Sequence, residues 1–306
     1  MKSILSQSHK NWKAIFVNDG SSDSSLNILN YYAEKDSRLL IINKENGGAS
    51  SARNIGIDAL QTDYFCFVDA DDAIHPEFLR KTLEAAVVNN CDLIVTGISY
   101  KGKGHILHQA GIIKLDPDTY IKCIHPGPCA KLYKTELIIQ ANLRFCEDMH
   151  YAEDYVFTRS YALQVDKYYA IQEPMYNYYY DNEDSLDHRF AKHNMPYEQY
   201  ILCTEAPWRV FHKLLTEEKQ YIDSSKLSKW TYSLYNELWR MFYLSNQHLS
   251  KKDKKNHTAH FKRKHKDFCQ HISYWKRMCA LQRYPRIYHF LRCAYQTIKA
   301  TIKIKQ

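Results

Sequence analysis

KAIFVNDGSSD, residues 13–23, starts as a strand and ends in turn-forming residues. Its apolar centre, Ala14-Ile15-Phe16-Val17, is stopped by Asp19-Gly20, a pair that favours a turn. From Asp23 to Lys35 the apolar spacing becomes helical, with Asp23 or a neighbouring serine as N-cap. The alternation then repeats. Leu39–Ile42 reads as a strand, Ala49–Leu60 as a helix, and Tyr64–Val68 as a strand ending at Asp69. Pro76–Asn89 reads as a helix with proline in its first turn, and Asp92–Thr96 as a fourth strand. Apolar strands separated by helices predict an α/β fold, its central sheet mostly parallel and covered on both faces.

Beyond this block the pattern changes. Residues 97–180 are mixed, with a Pro/Gly/Cys stretch at His125–Cys129 and one clear helix at Ala152–Leu163. After Asp187 nearly everything reads helical, and Trp230, Leu234, Leu238 and Met241 form a packing stripe. The expected division is an α/β domain over 1–185 and a helical, basic C-terminal extension over 186–306.

With 306 residues, 45% of them hydrophobic and 25% charged, the composition is that of a globular protein. No run of 18 apolar residues is present to span a bilayer, and Met1–Trp12 has no apolar core of a signal peptide. The expected location is therefore the cytoplasm or, peripherally, the inner face of the cell membrane. The nine cysteines form no CxxC pair and no zinc-ligand spacing, so they read as small buried residues. The net charge of +8 is unevenly placed. Residues 251–306 hold 16 Lys/Arg against 2 Asp/Glu, leaving residues 1–250 at 26 against 32. A tail at +14 follows a body at −6, and Trp275, Tyr284 and Phe290 are interleaved with its basic residues. That mixture suits an anionic membrane surface. Nucleic acid is a further reading that rests on the tail alone.

Three polar clusters stand where strands end, the usual place for a ligand in an open α/β sheet. They are VNDGSSD at 17–23, NGGASSARN at 46–54 and VDADD at 68–72. Each is common by itself; the three in this order form a specific combination. The chain resembles the family 2 glycosyltransferases of the GT-A fold, on these clusters and more weakly on KLY at 131–133 and AEDYVF at 152–157. The resemblance covers about residues 1–180. It implies a GT-A-like nucleotide-binding domain that moves a sugar, with inversion, from a nucleotide diphosphate sugar to a hydroxyl. The acceptor is expected to be a cell-surface polysaccharide or a lipid-linked glycan.

Chemistry assigns candidate roles within that expectation. A diphosphate leaving group must be neutralised, and Mg²⁺ or Mn²⁺ does this with one or two carboxylates as ligands. Asp71 is the expected metal ligand. Asp69 and Asp71 share a face if the segment is extended, which leaves Asp69 for the ribose. Asp19 would hold the base or ribose, Arg53 the base edge or the phosphates, and Lys131 the diphosphate. Asp72 is either a further ligand or a cap for the next turn. His125 and His150 are candidates for a metal or acceptor contact. An inverting transfer also needs a general base. The resemblance puts it at Glu153-Asp154, with Asp154 as the base and Glu153 beside it. The family's opening strand, with its Pro-x-Tyr-Asn-like segment, has no counterpart in Met1–Trp12, which resembles the second half of the helix that follows that strand. The alternative expectation is accordingly a truncated, non-catalytic relative.

Overall fold

A computed structural model describes residues 1–100, 103–105, 110–115, 127–179, 197–216 and 224–270. His125, the tail beyond residue 270 and the expected domain boundary at 185/186 lie outside the described residues. The chain forms two compact units, Met1–Met195 and Pro196–Gln306.

The first unit opens with α1 (Lys2–Leu5), β1 (Ala14–Asp19), α2 (Ser25–Ala33), β2 (Leu39–Lys44) and α3 (Gly48–Asp58). It continues through β3 (Tyr64–Phe65), β4 (Ala73–Ile74), α4 (Phe78–Asn89), β5 (Leu93–Tyr100), β6 (Lys103–His105) and β7 (Gly111–Lys114). β8 (Lys131–Lys134), α5 (Thr135–Gln140), α6 (Glu153–Leu163) and β9 (Lys167–Tyr178) complete it. The expected elements of the first hundred residues are all present, with ends shifted by a few residues. Only the third strand is much shorter than expected: its ladder stops at Phe65, and Phe67 adds a single bridge to Cys129.

β1 and β2 pair in parallel from Ala14↔Leu39 to Asp19↔Lys44. A second sheet runs β3-β8-β5-β9-β4, with β6 on β5 and β7 on β9. The α/β class is as expected, and the β1/β2 and β5/β9 ladders are parallel. The other ladders, β3/β8, β5/β8, β4/β9, β5/β6 and β7/β9, are antiparallel. The second sheet is therefore mixed, with the parallel β5/β9 ladder at its centre and antiparallel strands added around it. The reason is connection length. Parallel neighbours need a crossover helix, and β5 turns into β6 after only two residues.

An aromatic group packs between this sheet and α6. Phe145 and Phe157 stack with centroids 3.9 Å apart, and Phe67 meets both edge-on. Tyr133 lies 4.9 Å from Tyr161, also edge-on. The buried Tyr161 hydroxyl donates to the Asp92 carbonyl at 2.7 Å and accepts the Lys134 amide at 2.8 Å. The Lys134 amide also donates to the Asp92 carbonyl at 3.1 Å, so the phenol adds a third corner to a contact between two backbone segments.

The second unit contains α7 (Tyr197–Thr216), α8 (Ser224–His248) and α9 (Lys251–Cys269). Trp230, Leu234 and Leu238 of the expected stripe are buried, and Met241 is half-buried. Phe261 of α9 packs against Trp239 and Phe242 of α8.

Tyr161→Phe is expected to cost about 0.5–1.5 kcal/mol, the net worth of a hydrogen bond, because the carbonyl and amide lose the phenol but keep each other. Urea unfolding of parent and variant measures it; a difference near zero would mean that water replaces the phenol.

Candidate active site

Asp19 ends β1, and its carboxylate is fully engaged. Oδ1 accepts the Gly47 amide at 2.9 Å and Oδ2 the Gly48 amide at 2.7 Å, while Lys44 reaches Oδ1 at 2.5 Å. The glycine loop that opens α3 is thus folded onto the end of β1. Burial pushes the Asp19 carboxyl up, but Lys44 and the two amides outweigh it and hold the group below the usual carboxylate range. Gly20 must be glycine here. Its φ is +70°, and a Cβ would meet the Asn46 nitrogen at 2.8 Å.

α3 carries Arg53 and Asn54 to the centre of the unit. Asn54 holds the segment before α6: it donates to the Phe145 carbonyl at 3.0 Å and Glu147 at 2.9 Å, and accepts the Phe145 amide at 2.8 Å. Arg53 projects between two carboxylates, 3.0 Å from Asp69 Oδ1 and 3.5 Å from Glu153 Oε1, with the Phe145 ring 5.3 Å from its guanidinium. Burial works against its charge, and Asp69 and Glu153 more than restore it. Three of the expected site residues, drawn from three separate motifs, therefore meet.

The acidic segment is a turn, not an extended strand, which corrects the expectation that Asp69 and Asp71 share a strand face. The Asp72 amide donates to the Asp69 carbonyl at 3.1 Å. Asp69 also accepts the Cys129 thiol at 3.4 Å. Asp72 accepts the Tyr176 hydroxyl at 2.7 Å and the Tyr179 amide at 3.0 Å. Burial and the neighbouring Asp71 and Asp69 push its carboxyl above the usual range. Asp71 is exposed and bonds to no described residue. No group of three or more His, Cys, Asp or Glu is gathered to hold a metal among the described residues. An exposed carboxylate is still a donor of the kind that Mg²⁺ or Mn²⁺ takes, since these ions need few protein ligands and complete their shell with phosphate and water.

α6 begins beside Arg53. Ala152 adopts a left-handed φ of 62°, uncommon for a residue with a side chain, and this turns the chain sharply into Glu153-Asp154. Asp154 Oδ1 accepts the Tyr155 amide at 2.6 Å, so its carboxylate sits at the positive end of the helix. Lys131, expected to face the diphosphate, is buried instead. Its ammonium donates to the Gly127 carbonyl at 2.5 Å and the Cys129 carbonyl at 3.2 Å. Burial pushes this amine down to about 7, with Cys129 and Asp154 pulling it the other way. His150 is exposed. The chemistry-bearing residues missed in the sequence are Tyr176, Cys129 and Asn54. Asn54 stood inside a quoted motif; the other two carry no local signal.

Residues 1–120 match the model of glycosyl transferase family 2. Over 196 residues the chain is 32% identical to the uncharacterized glycosyltransferase EpsJ of Bacillus subtilis, spanning 60% of this chain and 57% of that one. It is 30% identical over 179 residues to the poly(ribitol-phosphate) beta-glucosyltransferase of Bacillus spizizenii, which is 56% of this chain and 27% of the relative. The chain thus spans little more than half of the first relative and about a quarter of the second. The S. aureus TarS 1–349 crystal structure in complex with UDP superposes with a TM-score of 0.56 at 17% identity, over 93% of this chain and 86% of that one. By the match of residues 1–120 and the superposition on TarS, the first unit is similar to the family 2 glycosyltransferases and has a GT-A-like fold.

A carboxyl held below its unfolded value adds stability above that value, lost as pH falls through the folded one. Asp19 therefore stabilises the fold above about pH 4 and stops doing so in acid. Asp19→Asn should lower the melting temperature at pH 7 and flatten its decline as the pH falls below about 4. Parallel curves for parent and variant would contradict this.

Proposed function

We propose that the chain is an inverting glycosyltransferase, moving a sugar from a nucleoside diphosphate sugar to a hydroxyl of a cell-surface polysaccharide or lipid-linked glycan. The observation that carries this reading is the Arg53 bridge. It joins the acidic turn, which suits a nucleotide, to the head of α6, which offers a base.

Asp154 takes the proton of the acceptor hydroxyl as it attacks the anomeric carbon. Attack opposite the leaving diphosphate in a single displacement inverts that centre. Glu153, held by Arg53, keeps the first turn of α6 facing the donor. Asp69 meets the ribose while Arg53 fixes its carboxylate. Asp19 acts through the glycine loop it holds, leaving the loop to shape one side of the nucleotide pocket. Asp71 would hold Mg²⁺ or Mn²⁺, which when bound offsets the charge of the diphosphate as it leaves. Lys131 steadies the 127–129 loop beneath Asp69.

Two substitutions separate these roles. Asp154→Asn should retain donor binding and lose transfer by about 10²–10⁴-fold, the usual contribution of a general base. Asp71→Asn should abolish the metal-dependent part of nucleoside diphosphate binding, read by calorimetry with Mn²⁺. Turnover of Asp154→Asn within a few-fold of the parent would leave that residue a helix cap. A truncated, non-catalytic relative would bind nucleotide weakly or not at all, with no turnover in the parent.

The acceptor side of the proposal involves the second unit. α9 buries His257 and Phe261 and exposes Lys251, Lys252, Lys254, Lys255, Lys262 and Arg263. We infer that this face, with the rest of residues 251–306, lies against an anionic membrane that carries the acceptor. Each cation near such a surface contributes about 1 kcal/mol, so a few suffice. Among the described residues no helix is long and apolar enough to cross a membrane, so attachment is expected to be peripheral. Co-sedimentation should show binding to anionic but not neutral vesicles, weakening with salt and lost on deleting 251–306. Equal binding to both vesicles would defeat it, and preference for RNA would favour a nucleic-acid partner.

A further inference from the structure

Tyr176, near the end of β9, is fully buried, yet its hydroxyl reaches the acidic turn. A phenol has one hydrogen to donate and lone pairs to accept with. Here the hydrogen goes to Asp72 Oδ2 at 2.7 Å, and the oxygen accepts the Asp69 amide at 3.1 Å. One side chain thus fastens both ends of the turn. The other Asp72 oxygen accepts the Tyr179 amide, also from the end of the β9 region. The register makes this obligatory: β4 follows the turn directly and pairs Ala73↔Asn177 and Ile74↔Tyr176. The ring is anchored in a core of Ile74, Phe78, Met175 and Cys129, so the hydroxyl has little freedom to move.

The consequence is a division of labour within four residues. Asp69 is held by Arg53 and Cys129, and Asp72 by Tyr176 and the Tyr179 amide. Of the three acids Asp71 alone is left exposed, at the turn. We propose that Tyr176 is a positioning residue of the donor site, closing the 69–72 turn from β9 so that Asp71 faces the bound diphosphate. The proposal rests on the donor-site reading given above. It makes β9, more than 100 residues away in sequence, part of the nucleotide machinery without its touching the nucleotide.

The experiment compares the parent with Tyr176→Phe, which keeps the ring and removes the hydroxyl. In ligand-free protein, deuterium uptake should rise in a peptide spanning residues 66–74 and stay unchanged in one spanning α6. Affinity for a nucleoside diphosphate with Mn²⁺ should fall about tenfold or more, the effect of stranding a charge-bearing partner. In turnover the donor KM should rise while kcat stays within a few-fold, the reverse of the pattern expected for Asp154→Asn. Asp72→Asn, which keeps the shape of the side chain, should show the same exchange and KM pattern, and decides the matter if Tyr176→Phe does not fold. Unchanged exchange and affinity, or a loss confined to kcat, would overturn the proposal. Failure of the parent itself to bind any nucleoside diphosphate would instead overturn the donor-site reading beneath it.

Discussion

One guanidinium between two carboxylates sets the layout of the first unit. Asp69 and Glu153 would repel at close range, and Arg53 turns that repulsion into a bridge. Arginine suits the position because its planar fork offers several donors at once and stacks on a ring. The Phe145 ring provides that surface. Arg53 can hold this place because Asn54, the next residue, locks α3 to the segment before α6 through three hydrogen bonds. Removing either partner of the bridge would leave a half-buried charge unbalanced, which costs more than the pair gains.

Around that bridge the site is built from loops fixed at both ends. The glycine loop is tied to β1 through Asp19, and the acidic turn to β9 through Tyr176 and the Tyr179 amide. The 127–129 carbonyls are tied down by the buried ammonium of Lys131. Each tie satisfies backbone groups that irregular chain would otherwise leave unpaired. The loops therefore keep their shape without regular secondary structure.

The helical unit follows a different logic. Its core is aromatic, with Trp230, Trp239, Phe242 and Phe261 buried, and its charges are sorted by surface. Lys264 illustrates this: it lies 3.2 Å from the centre of the Trp208 ring and 3.2 Å from Glu205, while its basic neighbours face outward. A helix can bury one stripe and present an unbroken cationic face on the other, which a twisted sheet edge does less readily.

Much of the fold was legible in the sequence because its signals are local. Apolar runs bounded by Asp-Gly or Asp-Ala-Asp mark strand ends, and 3.6-residue spacing marks helices, whatever they later touch. These gave the α/β class, the strand–helix order of the first hundred residues, and the three polar clusters. Periodicity carries no information about direction, so the antiparallel ladders of the second sheet were not legible; they follow from which strands lack a crossover helix. Nor could local signals give partners. That Asp19 spends both oxygens on glycine amides, that Lys131 turns inward, and that Tyr176 reaches the acidic turn depend on contacts between residues far apart in the chain. The sequence determined which residues have the chemistry for a site, because donors, acceptors and charges belong to side chains. The tertiary structure alone decided which of them are occupied with holding the site together and which, like Asp71, are left exposed, because that depends on what packs against each one.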